Sequence, residues 1–126
     1  MEGGKYLKLN DIGAYKISFH LSNYVWGIVI NWNHFTKSTV GIQWTTAMDS
    51  MSANIAEGFG RYFKKDKIKF YRYSFGSLKE SQDWALKSYK RKLISQTEYN
   101  YIMEELNKIP KEINSLIKYT NEKLKE

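Results

Sequence analysis

Between residues 99 and 120, Tyr99, Ile102, Leu106, Ile109, Ile113, Leu116 and Thr120 follow one another at alternating steps of three and four. Only a helix brings residues so spaced onto one face, so this part of the chain must bury one stripe against neighbours. It opens with "SQTE" at 95–98, where the Ser95 hydroxyl can accept from the backbone N–H of Glu98 while the Glu98 carboxylate reaches back to that of Ser95, a capping box. Pro110, the single proline, interrupts the run. A proline inside a helix removes one hydrogen bond and crowds the carbonyl four residues back, so a kink is expected near Lys108 to Pro110.

The same periodicity recurs three times upstream. In 66–93, Ile68, Tyr71, Phe75, Leu78, Ala85 and Tyr89 form an apolar row, with Asp66 as the expected N-cap. Phe70, Ser74, Ser77, Ser81 and Ser88 form a second, mostly small row beside it, a packing seam that lets another helix come close. In 36–60, Val40, Trp44, Ala47, Met51, Asn54 and Gly58 align, with Met48, Ile55 and Phe59 next to them. In 11–32, Ile12, Tyr15, Phe19, Trp26 and Val29 align, and Ile17, Leu21, Val25 and Ile28 widen the face. The reading is an all-α chain: helices over about 11–32, 36–61, 66–92 and 96–123, a flexible segment at 1–9, and an antiparallel up-down-up-down four-helix bundle as one domain over 1–126. The first helix is apolar around more than one face, so part of it is expected to meet another copy of the chain.

Composition narrows the chemistry. With no cysteine, disulfides, thiol nucleophiles, iron–sulfur clusters and Cys-ligated zinc are excluded. The strongest apolar run, "YVWGIVINW" at 24–32, is about half a membrane span, and the N-terminus lacks the apolar core of a signal peptide, so a cytoplasmic protein with no membrane partner is expected. His20 and His34 stand fourteen residues apart, and neither follows a glutamate at the spacing of di-iron helix bundles. Glu57 and Glu80, the remaining candidates for a carboxylate pair, fall roughly 13 Å apart along the bundle axis if the chain turns near residue 64. No catalytic residue, metal or cofactor is expected.

The segment "NIAEGFGR" at 54–61 places two glycines where each costs about 1 kcal/mol relative to alanine in a helix. Gly58 lies on the stripe, where a missing side chain suits close helix contact, and Gly60 is expected as the C-terminal cap. Glu57 and Arg61 can pair across one turn, with Asn54 on the same strip, which is expected to sit within the helix interface. A ribonucleoprotein strand signature is excluded because Glu57 stands where a basic residue belongs. A phosphate loop is excluded because no strand precedes the glycines.

The block "DSMSANIAEGFGRYFKKDKIKFYRYSFGSLKES" at 49–81 resembles the signature of the four-helix-bundle family first noted as open reading frames in intervening sequences of bacterial 23S ribosomal RNA genes. That family is related to the accessory variability determinants of diversity-generating retroelements. The likeness spans roughly residues 17 to 120. It implies an all-helical protomer, a ring-like homopentamer and no catalytic activity, with RNA or DNA and a reverse transcriptase as partners in the retroelement relatives. Asn54, Glu57, Gly58, Gly60, Arg61, Ser77 and Glu80 match the motif positions. Thr46 departs, standing where a basic residue is expected.

The net charge is +7, and it is unevenly placed. Residues 61–72 carry Arg61, Lys64, Lys65, Lys67, Lys69 and Arg72 against Asp66 alone, interleaved with Tyr62, Phe63, Phe70 and Tyr71 and followed by Tyr73. Lys87, Lys90, Arg91 and Lys92 make a second cluster at the other end of the bundle. These ten cations are the candidate nucleic-acid contacts. The competing reading is a structural or protein-interaction module whose charges are solvated helix ends.

Overall fold

The computed structural model describes residues 7–124, and these form helices and turns with no strand among them. A 3-10 turn, Leu9–Asp11, is closed by the Lys8 N–H donating to the Asp11 carboxylate. It leads into α1 (Gly13–Val29). A single turn, α2 (His34–Thr36), continues through a π-helical turn, Lys37–Gly41, into α3 (Ile42–Gly60). There follow α4 (Lys64–Lys90), α5 (Gln96–Leu106) and α6 (Ile109–Lys123).

These elements make four arms whose neighbours run antiparallel. The Ser74 hydroxyl of α4 donates to the Met51 carbonyl of α3 at 2.9 Å, while Tyr71 and the Lys67 carbonyl lie against Gly58. Tyr24 of α1 meets Tyr101 of α5 edge-on at 4.9 Å, and Gln82 of α4 donates to Asn107 at 3.0 Å. Trp44, Tyr71, Leu21, Met48, Met51, Ile55, Leu78 and Ile102 fill the core. In the small row on α4, Ser74, Ser81 and Ser88 are buried as a packing seam, while Phe70 and Ser77 are half-buried at its edge.

Several expectations are corrected. Of the segment 1–9, residues 1–6 lie outside the described residues, and Leu7 and Leu9 pack against the core instead of moving freely. The first helix ends at Val29, because the chain turns through Asn31 and Trp32 and the Asn33 side chain then accepts from the Thr36 N–H at 2.9 Å. Asp66 is not a cap: α4 begins two residues earlier, after Phe63, and leaves Asp66 in its first turn, where a carboxylate still suits the positive end of the helix.

The fourth arm is broken and not merely kinked. Asn107 and Lys108 leave the helix, and a new one starts at Ile109 with Pro110 in its first turn, where its missing N–H costs nothing. The buried stripe nonetheless continues from Ile102 and Leu106 through Ile109, Ile113, Leu116 and Thr120. The Ser95–Glu98 capping box forms with both hydrogen bonds, 2.8 and 3.0 Å. Gly60 is not a left-handed cap: it is the last residue of α3, and Arg61 ends that helix with ordinary extended backbone (φ −76°, ψ 153°). The left-handed residue is Lys92, φ 61°. It follows α4 with the Leu93 N–H donating to the Ser88 carbonyl at 2.8 Å, so a lysine stands where a glycine would avoid a cost of about 1 kcal/mol.

Candidate nucleic-acid interface

The turn between α3 and α4 gathers the first basic cluster, and its members differ in what they do. Lys67 is half-buried, donates to the Phe59 carbonyl at 2.7 Å and lies 5.5 Å from the Phe59 ring, so it closes the end of α3. Burial pushes its ammonium pKa down. Lys64 donates to the Leu124 carbonyl at 3.2 Å. The Arg61 guanidinium pairs with Glu57 at 2.7 Å and sits 4.6 Å over the Phe70 ring, with Lys69 at 5.5 Å from the same ring. Lys65, Lys69 and Arg72 are exposed and make no ion pair among the described residues. Beside them stand three exposed aromatics, Tyr62, Phe63 and Tyr73, of which Tyr62 is 84% exposed. Tyr71 is core, with its phenol pushed up to about 12 by burial.

The motif around the glycines divides between seam and surface. A Cβ on Gly58 would stand 2.7 Å from a Tyr71 ring carbon and 2.9 Å from the Lys67 carbonyl oxygen, so this position carries the close helix approach. The polar strip is not in that interface. Glu57 and Arg61 keep 50% and 44% of their side chains exposed, and the partly buried Asn54 donates back to the Ser50 carbonyl at 2.9 Å. A residue one position from Gly58 on a helix points about 100° away from it, which turns Glu57 outward. Ser77 is half-buried and Glu80 exposed.

At the far end of α4, Lys87 pairs with Asp83 at 2.7 Å and holds its ammonium 4.6 Å over the Trp84 ring. Lys90, Arg91 and Lys92 are exposed and make no ion pair among the described residues. Sequence reasoning missed the groove of about 580 Å³ beside them, whose lining includes Phe35, Val40, Gln43, Trp84, Arg91 and Leu93. A smaller hollow of about 220 Å³ lies between α1 and the π-helical turn that leads into α3, where Trp26, Ile30 and Ile42 are exposed. The histidines make local contacts: His20 Nε2 lies 3.1 Å from the Tyr101 hydroxyl, and His34 Nε2 3.5 Å from that of Ser38. Among the described residues no three acidic or histidine side chains come together as a metal site would need, and no helix is long and apolar enough to cross a membrane.

Comparison with known proteins bears on this geometry. The model of the 23S rRNA-intervening sequence protein family matches residues 10–115. The fold is similar to that of a solved protein with unknown function from the S23 ribosomal protein family of Bacteroides thetaiotaomicron VPI-5482. The TM-score is 0.73 at 18% identity, covering 83% of this chain and 98% of that one. No curated protein matches.

Proposed function

The chain belongs to the 23S rRNA-intervening sequence protein family, and from that premise we propose that it is a non-enzymatic cytoplasmic scaffold that binds RNA or DNA through the end formed by residues 61–73. The carrying observation is the coincidence there of exposed Tyr62, Phe63 and Tyr73 with Lys65, Lys69 and Arg72, which make no ion pair among the described residues. Each cation can neutralise a phosphate and release its counterion, and each exposed ring offers a face worth about 1–3 kcal/mol to a stacked base. Such a surface attracts strands with little regard to sequence. A reverse transcriptase working on the same strand is the protein partner that the family resemblance suggests.

The scaffold is a homo-oligomer, a pentameric ring by that resemblance. The supporting feature is the apolar face of Trp26, Ile30 and Ile42, large side chains that stay exposed on a single protomer. A ring repeats the basic end around one rim, and repetition raises avidity without any new contact. The same apolar face favours the second reading, a protein-interaction module that binds no nucleic acid.

Filter binding of single-stranded RNA at 50 and 200 mM salt tests the first reading. Binding is expected to fall steeply with salt, and the Lys65→Glu, Lys69→Glu, Arg72→Glu triple variant to lose it while keeping its helicity. Affinity weaker than about 0.1 mM at 50 mM salt, for RNA and DNA alike, overturns it in favour of the interaction module. Light scattering tests assembly, and a mass near the 14.9 kDa of one chain overturns the ring.

A further inference from the structure

The groove at the far end of α4 is built differently from the 61–73 surface, and its lining residue Trp84 stands roughly 16 Å along the helix axis from Tyr73. Its volume of about 580 Å³ lies in the range of small-ligand sites, which are typically apolar concavities with a few converging polar groups. Phe35 and Trp84 supply aromatic surface, Val40 and Leu93 aliphatic surface, and Gln43, Arg91 and two threonines the polar groups. No acidic residue is among those that line it. Phe35 is 74% exposed, an unusual position for so large an apolar ring.

Two backbone irregularities frame the groove. One wall is the π-helical turn Lys37–Gly41, a feature that recurs at functional sites. The opposite lip is the turn after α4, where Lys92 holds its left-handed conformation and the Leu93 carbonyl accepts from the Trp32 indole at 3.2 Å. Strain of this kind persists where the surroundings fix it. Here it sets Leu93 and Arg91 on the same lip.

We propose that this groove binds a nucleotide, the base against Phe35 and Trp84 and the phosphate on the Arg91 guanidinium. Charge separates this occupant from a second copy of the chain. Arg91 lines the groove, exposed and without an ion pair among the described residues, and Lys87 holds its ammonium over the Trp84 ring while paired with Asp83; on a protein of net charge +7 another copy brings like charge to it, whereas an anion is drawn in. The Trp26, Ile30 and Ile42 hollow, whose lining cation Lys37 already donates to the Ile30 carbonyl at 3.3 Å, suits contact between copies better. Guanidinium matches phosphate geometry through two parallel hydrogen bonds, and aromatic rings take any base. The inference does not depend on strand binding at 61–73, because the two sites share no residue.

Titration calorimetry on the full chain at 150 mM salt tests it, with adenosine monophosphate, adenosine, inorganic phosphate and a short oligoadenylate as probes. Adenosine monophosphate is expected to bind saturably with Kd of about 1 mM or tighter, and adenosine and phosphate each about tenfold more weakly. Arg91→Gln and Phe35→Ala should each weaken it about tenfold. Lys69→Glu, at the other end, should leave it unchanged. Arg91-dependent preference for the oligonucleotide identifies the ligand as a residue of a strand, and preference for the mononucleotide identifies it as a free nucleotide. Phosphate binding as tightly as adenosine monophosphate, or indifference to Arg91→Gln, overturns the site. So does a Phe35→Ala variant that lowers the assembled mass without changing nucleotide affinity, since the groove would then hold a second copy.

Discussion

The end of α3 shows two faces within five residues, 57–61. On one, Gly58 lies under the Tyr71 ring and beside the Lys67 carbonyl, in a seam with no room for a methyl group. On the other, Gly60 faces open space, and the Glu57–Arg61 pair is half in water. The same residue type thus has opposite meanings two positions apart: Gly58 is required by a neighbour, and Gly60 is required by nothing in the protomer. A motif met as one block is therefore part seam and part surface. Only the surface part is free to touch a partner.

Substitution at Gly58 should break this contrast most visibly. Gly58→Val should cost about 3 kcal/mol, because the Lys67 carbonyl cannot rotate away as a side chain can, and urea melts measure the loss. Gly58→Ala should lose less, since alanine recovers about 1 kcal/mol of helix propensity.

Next in size is the pH dependence of the seam. The folded Tyr71 phenol titrates near 12 against an ordinary 10.0. Its contribution is therefore present in full below pH 10 and is lost as pH rises from 10 through 12. Tyr71→Phe should remove a difference on the order of 2 kcal/mol between melts at pH 9 and above pH 12. If the two proteins lose stability in parallel, the seam admits water.

The surface side should respond weakly, and at Gly60 with the other sign. Gly60→Ala should stabilise by up to about 1 kcal/mol. Glu57→Ala should cost about 0.5 kcal/mol, the worth of an exposed pair one turn apart. Thermal melts of the assembled protein sharpen the point: a loss of about 3 kcal/mol for Glu57→Ala means that the strip is covered by another copy.

Side-chain periodicity made the buried faces legible, because it records direction along a helix. Tyr99 to Thr120 therefore reads as one stripe even though the backbone breaks at Asn107, an interruption that hydrogen bonds register and side-chain direction does not. The Ser95 cap was legible because it is local. The start of α4 was misplaced because Phe63 supplies no side-chain cap to recognise. At the candidate site every charge could be counted, but which lysines are spent on structure depends on carbonyls brought near by folding, as with Lys67 on Phe59 and Lys64 on Leu124. The groove was invisible because Phe35 and Trp84 are far apart in sequence. The spacing of Trp84, Lys87 and Arg91 on one side of a helix was its only local signal.

The break before Pro110 divides the last arm into two units of hydrogen bonding. Asn107 and Lys108 interrupt the helical run between α5 and α6, so the amides of the two helices should exchange with solvent on separate clocks. In α6 the opening should begin at the Leu124 end, held there by the Lys64 ammonium on the Leu124 carbonyl. A ligand that draws Lys64 away would loosen the end of the chain from a distance, and the slowing or quickening of those amides would report occupancy of the basic rim.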